Sequence, residues 1–203
     1  SRQLGPPRTR SPTPWRGRSS ARASWQLAWA PQRRRRCTFC SPKYLRGAHR
    51  SRDPKKLADE IEWLVREIGA KQIAFMDLIF PLTKEQGMAF CDELIKRGLH
   101  KKVVWTSETR VDRVDKELLV KMKEANCGRL MFGIESGVQQ LLDTVQKGFK
   151  LDDVRRAVKL AKEAGLTTVG FFMLGLPGET PEMSRQTIAF AKELGLDFAK
   201  FAV

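Results

Sequence analysis

Hydrophobic residues from residue 54 onward follow two alternating spacings. Leu57, Ile61, Leu64 and Ile68 recur three or four positions apart, which marks one buried face of a helix. The run 73–76 is instead continuously apolar, which is typical of a buried strand. The two patterns alternate roughly every 25–30 residues, so the sequence predicts repeated strand–helix units.

Local signals place the ends of these elements. Asp53 before Pro54 is a helix N-cap followed by a proline in the first turn. Thr83 and Gln86 have the spacing of a capping box. Further helices are predicted to begin at Asp115, to include Val154, and to begin at Thr180. The predicted strands are 73–76, 103–106, 130–134, 167–174 and 198–203.

The alternation of strands and helices predicts an α/β fold. Strands joined through helices form right-handed crossovers, and the sheet is then parallel. The predicted strands are apolar throughout, as strands covered on both faces require. We therefore expect a partial (β/α)6 TIM-like barrel with parallel strands and outer helices, truncated at both ends of this chain.

Polar and glycine-rich residues gather directly after the predicted strands. They are Asp77 and the segments 107–108, 135–137 and 175–179. In a parallel barrel the C-terminal ends of the strands form the face that carries the active site. The loop holding Cys37 and Cys40 precedes the first helix, so we expect it on the same face.

Charge is distributed unevenly along the 203 residues. The formal net charge is +15, but residues 1–36 contain ten Arg and no Lys, Asp or Glu. The remaining residues carry 28 basic and 23 acidic side chains, a net charge of +5. We expect residues 1–36 to be non-globular and residues 37–203 to form the folded domain.

Three interpretations of the segment 1–36 compete. An Arg-rich arm binds nucleic acid, and an Arg- and Ser-rich leader without acidic residues directs a protein to an organelle. A shifted reading frame in GC-rich DNA also yields Arg, Pro, Ser, Ala and Trp without Lys, Asp or Glu. We favour the third interpretation, because the segment has neither a helical period nor a basic–aromatic module.

The cysteine content points to a reducing compartment. Four Cys without a regular framework argue against a secreted disulfide protein, and no apolar run is long enough to span a membrane. We expect a cytoplasmic protein. Cys91 lies on the apolar face of a predicted helix, and Cys127 precedes a strand, so neither is expected near the loop of Cys37 and Cys40.

The pair Cys37 and Cys40 has the spacing of metal or cluster ligands, and by itself it leaves zinc, redox and cluster sites open. In the context of the whole pattern, residues 37–203 resemble the radical SAM superfamily, most of all the members with an N-terminal cobalamin-binding domain. The residues that carry the resemblance are 37–40, 50–53, Asp77, 109–110, 132–137 and 175–180.

The resemblance implies a [4Fe–4S] cluster and S-adenosylmethionine (SAM) as cofactors. In the family, a C-x3-C-x2-C motif binds three irons, and the fourth binds the amino and carboxylate groups of SAM. One electron then cleaves the sulfonium to give a 5′-deoxyadenosyl radical, which attacks the substrate. The resemblance also implies an electron donor such as a flavodoxin or ferredoxin, and a small-molecule substrate that the sequence does not identify.

The first cluster cysteine of that motif belongs at position 33, where this chain has Arg33. A guanidinium stays protonated and has only donors, so it does not ligate iron. Cys37 and Cys40 therefore provide two of the three expected ligands. We expect weak or absent cluster binding and no normal turnover.

The resemblance also implies SAM contacts, each with a structural alternative. Phe39 is expected near the adenine, or as packing of its loop. Asp77 is expected near the SAM amino group, or as a cap. Arg110 is expected at the SAM carboxylate, or in a surface salt bridge.

Two further segments are implied by the same resemblance. Glu135 and Ser136 are expected at the ribose or methionine part of SAM, with a purely structural role as the alternative. The turn from Gly175 to Glu179 is expected to let the backbone approach the adenine, or to serve as an ordinary strand-to-helix turn.

A D-x-H-x-x-G loop, usual in the cobalamin domain, does not occur, and the only His are His49 and His100. If cobalamin is used, its domain lies upstream. The alternative functions are a nucleic-acid-associated protein acting through the Arg-rich arm, and a radical SAM enzyme that modifies tRNA. For the domain itself we expect no nucleic-acid partner.

Overall fold

The computed structural model describes residues 37–39, 51–77 and 79–203. They belong to one structural unit, Arg35–Val203. The predictions made for residues 1–36, Cys40 and Arg50 lie outside the described residues. In the described residues no helix is long and apolar enough to cross a membrane.

Helices and strands alternate in the order that the sequence predicts. The helices are α1 Pro54–Trp63, α2 Lys84–Lys96, α3 Lys116–Glu124, α4 Gln139–Thr144, α5 Leu151–Glu163 and α6 Pro181–Glu193. The strands are β1 Gln72–Ala74, β2 Val104–Thr109, β3 Cys127–Glu135, β4 Thr167–Met173 and β5 Phe198–Ala202. Each strand pairs in parallel with the next, in the order β1-β2-β3-β4-β5. The predicted α/β fold with a parallel sheet is confirmed.

The predicted helix caps form, with one difference. The Asp53 carboxylate accepts hydrogen bonds from the backbone N–H groups of Lys55 and Lys56, at 2.8 and 3.1 Å. Thr83 accepts from the N–H of Gln86 at 3.2 Å, but the Gln86 side chain returns to the N–H of Leu82 rather than to that of Thr83. Both caps satisfy backbone donors that a helix N-terminus leaves free.

Two elements differ from the prediction. Strand β1 ends at Ala74 rather than at 76, because Phe75 turns into an aromatic cluster and Met76 is left exposed. The Phe75 ring stacks on Phe80 at 4.2 Å between centroids and meets Phe90 edge-on at 5.5 Å. Helix α4 was not predicted at all, since its six residues are too short to show a helical period.

The two faces of the sheet differ in character. One face packs against the helices in the main core, through residues such as Trp105, Leu130 and Phe172. We call the opposite face the inner face. Strand alternation and register place side chains of several strands there, namely Glu108, Arg129, Met131, Gly133, Val169, Phe171, Phe198 and Lys200. The inner face therefore carries the charged side chains Glu108, Arg129 and Lys200, and it is where function is expected.

Candidate functional site

A buried ion pair lies at the C-terminal end of β3. Glu135, the last residue of that strand, has a φ of 74°, and the register of β3 with β4 shifts between Gly133 and Glu135. Its Oε1 lies 2.6 Å from Nζ of Lys147, and both side chains are about nine-tenths buried. A non-glycine residue held in the left-handed region at such a pair is typical of a functional site.

Lys147 reaches Glu135 from the connection between α4 and α5. Gln146 has a φ of 54° and Gly148 a φ of 77°, so the chain turns sharply on both sides of Lys147. Sequence reasoning missed this lysine. The only local signal was Gly148, which marks a turn without saying where the preceding side chain points.

The described part of the cysteine loop lies against the same connection. The backbone N–H of Thr38 donates to the carbonyl of Val145 at 3.1 Å. The ring of Phe39 lies 5.9 Å from Nζ of Lys147, within the range of a cation–π contact. The thiol of Cys37 is free and partly exposed. The loop and the Glu135–Lys147 pair thus meet at one place.

Glu108 adds a second carboxylate to this site from the inner face of β2. Burial raises the pKa of Glu108, the negative charge of Glu135 raises it further, and Lys147 opposes both effects. The sequence showed Glu108 only as one of the polar residues that follow a predicted strand, and gave it no role. Glu108 and Glu135 thus place two carboxylates near one lysine at the C-terminal ends of β2 and β3.

We expect Glu108→Gln to change the pH dependence of stability. Because the folded state raises the pKa of Glu108 above its ordinary value of 4.5, the wild type loses stability as the pH rises through that raised value. The variant has no such loss, so it should exceed the wild type at neutral pH and match it near pH 4. Urea unfolding of both proteins between about pH 4 and 8 measures this difference; a constant difference across that range would contradict it.

Arg110 forms a two-point salt bridge with Asp112. Its Nε and Nη2 donate to the two oxygens of Asp112 at 2.9 and 3.0 Å, and Nη2 also donates to the carbonyl of Lys147 at 2.9 Å. These contacts lower the pKa of Asp112 although burial alone would raise it. Arg110 therefore supports the turn that carries Lys147, and its contact with the SAM carboxylate stays a prediction.

Ser136 faces away from the Glu135–Lys147 pair. Its hydroxyl is fully buried, lies 3.2 Å from the hydroxyl of Thr187 in α6, and accepts from the N–H of Val138 at 3.1 Å. The Thr187 hydroxyl also accepts from the N–H of Gly137 at 3.1 Å. The hydrogen bond between Ser136 and Thr187 therefore links α6 to the end of β3.

Gly137→Ala should destabilise the fold at this junction. A Cβ at Gly137 would lie 2.5 Å from Cβ of Phe190 and 2.9 Å from Cα of Thr187, atoms that move only if α6 moves. We expect a loss of about 2 kcal/mol in the free energy of unfolding. Urea denaturation measures it, with the exposed Gln140→Ala as the control. An unchanged midpoint for Gly137→Ala would contradict the tight packing.

The remaining residues predicted to contact SAM, Asp77, Gly175 and Glu179, lie in loops that follow strands. Asp77 is exposed in the loop after β1. Gly175 has a φ of 84° with open space around its Cα, as a close backbone approach requires. The carboxylate of Glu179 accepts from the N–H of Leu176 and from the hydroxyl of Ser184, both at 2.8 Å. Glu179 thus closes its own turn, and the SAM contacts of all three residues stay predictions.

Of the positions expected to bind an iron–sulfur cluster, only Cys37 lies among the described residues. Cys91 and Cys127 are fully buried in the core, and burial raises the pKa of Cys91 to about 12, so neither supplies a thiolate. Among the described residues no three His, Cys, Asp or Glu side chains converge. Cys40 lies outside those residues, and position 33 holds Arg. Within residues 37–39, 51–77 and 79–203, no thiolate is therefore available beside Cys37, and impaired cluster binding stays a prediction.

The radical SAM superfamily pattern matches residues 34–191. Over 168 residues the chain is 34% identical to an uncharacterized methyltransferase of Pyrococcus horikoshii. Over 169 residues it is 36% identical to the anaerobic magnesium-protoporphyrin IX monomethyl ester cyclase of Cereibacter sphaeroides. These matches cover 82% of this chain in each case, but only 36% and 28% of the two relatives.

A solved structure shares the fold. It is the radical S-adenosylmethionine methyltransferase TsrM from Kitasatospora setae, with cobalamin and a [4Fe–4S] cluster bound. The TM-score is 0.75 at 23% identity, over 82% of this chain and 32% of that one. The TIM-like fold inferred from the sequence is thereby confirmed, and the family uses SAM and a [4Fe–4S] cluster. Since the family pattern covers more than half of its length, this chain belongs to the radical SAM superfamily.

Proposed function

We propose that this chain is the SAM-binding core of a radical SAM enzyme in which Arg33 impairs the cluster. The observation that carries the proposal is the meeting of the cysteine loop, Lys147 and the two carboxylates Glu108 and Glu135 at one end of the sheet. SAM carries an ammonium and a sulfonium, both cations. Carboxylates on the inner face complement that charge.

Each side chain has a part in this proposal. Glu135 and Glu108 bind the cationic groups of SAM. Lys147 holds Glu135 in place at 2.6 Å and contacts the ring of Phe39 at the same time. Burial of the pair excludes water, which strengthens every charge interaction in the site.

The cluster supplies the electron that cleaves SAM in this family. Here two cysteines at the motif spacing and an arginine at the third position leave the donor set short by one thiolate. We therefore propose that this polypeptide binds SAM without normal turnover.

For the whole protein, we extend this proposal to its electron donor, its compartment and its substrate. The electron donor is a flavodoxin- or ferredoxin-like protein, the compartment is the cytoplasm, and the substrate is a small molecule. Cobalamin, which is bound in the TsrM structure, is a further cofactor of the whole protein in this proposal.

Binding of SAM tests the proposal directly. We expect the wild-type chain to bind radiolabelled SAM in equilibrium dialysis, and Glu108→Gln to bind it at least about fivefold more weakly, because a charged hydrogen-bond acceptor is lost. Glu163→Gln on α5 is the matched control and should bind as the wild type does. Absence of binding to the wild type, or equal affinity of Glu108→Gln, would overturn the proposal.

A second candidate function rests on the charge of residues 1–36, with ten Arg and no acidic residue. If that segment binds RNA, affinity should fall steeply with salt and should disappear when the segment is removed. The same experiment covers the alternative of a tRNA-modifying enzyme, since RNA binding by residues 37–203 alone would favour it.

A further inference from the structure

Two cations lie on the inner face without a carboxylate partner among the described residues. Arg129 of β3 places its guanidinium carbon 5.7 Å from the ring centroid of Phe198. Lys200 of β5 places its Nζ 5.9 Å from the ring centroid of Phe171. We call these four residues the cationic strip.

Among the residues that the structure describes, the two cations of the strip lack the carboxylate partner that three other buried or half-buried cations have. Lys147 is neutralised by Glu135, Arg110 by Asp112, and Arg97 by carboxylates of α1 and α2. Within the described part of the chain, Arg129 and Lys200 lie over aromatic rings and in no ion pair. The ring faces attract a cation but leave its positive charge in place. Both remain available to an anion.

The register of the sheet places Phe171, Phe198 and Lys200 close together, and the side chain of Arg129 reaches Phe198 from the start of β3, where Arg129 pairs with Thr167. Phe198 and Lys200 are two positions apart on β5, so they share one face about 7 Å from each other. Phe171 pairs with Lys200 on one side and with Gly133 on the other. A Cβ at Gly133 would lie 3.1 Å from Oε1 of Glu135 and 3.3 Å from Nζ of Lys147. Phe171 and Lys200 therefore border the site proposed for SAM, and Phe198 and Arg129 extend the strip toward the start of β3.

Charge is distributed unevenly over the inner face. The carboxylates Glu108 and Glu135 lie toward the C-terminal ends of β2 and β3, where Lys147 pairs with Glu135. The other two cations lie over aromatic rings, Arg129 over Phe198 and Lys200 over Phe171. An anion on the inner face is repelled by the carboxylates and attracted by the cations. The ring of Phe198 offers an apolar surface next to the Arg129 guanidinium.

We propose that the cationic strip binds the anionic group of a small-molecule substrate with an apolar body. Arg129 and Lys200 pair with a carboxylate or phosphate group, and Phe171 and Phe198 contact the apolar part. The proposal rests on the inner face being the substrate side of the SAM site, and it assigns to that site a substrate class.

The test compares two probes that differ only in charge, 2-naphthoate and the neutral 2-naphthamide. Binding to the full chain is measured by ligand-observed NMR in the absence of SAM. We expect the wild type to prefer the carboxylate at least about fivefold, and Lys200→Gln and Arg129→Gln each to remove most of that preference. Lys200→Arg should retain it.

Lys192→Gln on the outer helix α6 removes the same charge away from the strip and is the matched control, which should keep the wild-type preference. Circular dichroism confirms that each variant is folded. Equal binding of the two probes to the wild type, or an unchanged preference in both Lys200→Gln and Arg129→Gln, would overturn the proposal. Either result leaves SAM binding untouched, since SAM affinity is measured separately.

Discussion

Arg33→Cys should turn a chain that takes up little iron into one that binds a complete cluster. The substitution restores C-x3-C-x2-C with Cys37 and Cys40 and replaces a side chain that has only donors with a thiolate. Three thiolates on one loop bind three irons of the cube, whereas two leave the cluster exposed to loss. After anaerobic reconstitution we expect near-stoichiometric iron and sulfide in the variant and a small fraction of that in the wild type.

The chain offers its own matched controls for this experiment. Arg34→Cys and Arg35→Cys remove one positive charge and add one thiol, as Arg33→Cys does, but at the wrong spacing. They should stay close to the wild type in iron content and in SAM cleavage. Full iron content with SAM cleavage in the wild type would show that Arg33 does not impair the site. Equal gains in all three variants would show that thiol number, rather than spacing, is what matters.

The order of elements was predictable because local chemistry specifies it. Asp53, Thr83 and Asp115 each place an acceptor at a helix N-terminus, and the structure has all three caps. The apolar runs between helices gave the strands, and their order alone implied a parallel sheet. Fold class therefore followed from signals within a few residues of each element.

The interior of the site was not predictable in the same way. The bulge between Gly133 and Glu135 shifts the register locally, and Glu135 turns toward Lys147 while Ser136 turns toward Thr187. The resemblance placed Glu135 and Ser136 together at SAM, whereas the structure turns these adjacent side chains to opposite sides. The register shift at this point leaves no mark in the hydrophobic pattern. Lys147 is brought to the site by a turn whose direction depends on tertiary packing.

Lys147→Met should be strongly destabilising, because it leaves the Glu135 carboxylate buried without its partner and near Glu108. Removing one member of a buried ion pair costs about 3–5 kcal/mol, whereas replacing both members is often close to neutral. We therefore expect Lys147→Met to lower the urea midpoint sharply, and Lys147→Met combined with Glu135→Gln to recover most of the loss. A double-mutant cycle of the free energies of unfolding measures the coupling.

Lys84→Met is the matched control for this cycle, since Lys84 also lies 2.6 Å from a glutamate, Glu117, but on the exposed surface. Water screens that pair, so the same substitution should change the midpoint far less. The SAM affinity then separates stability from function: the double variant should be stable and yet bind SAM weakly, because the charge of Glu135 is gone. A double variant as unstable as Lys147→Met would show that the lysine stabilises the turn at Gly148 rather than the carboxylate. Recovered stability with undiminished SAM binding would instead remove Glu135 from the proposed site.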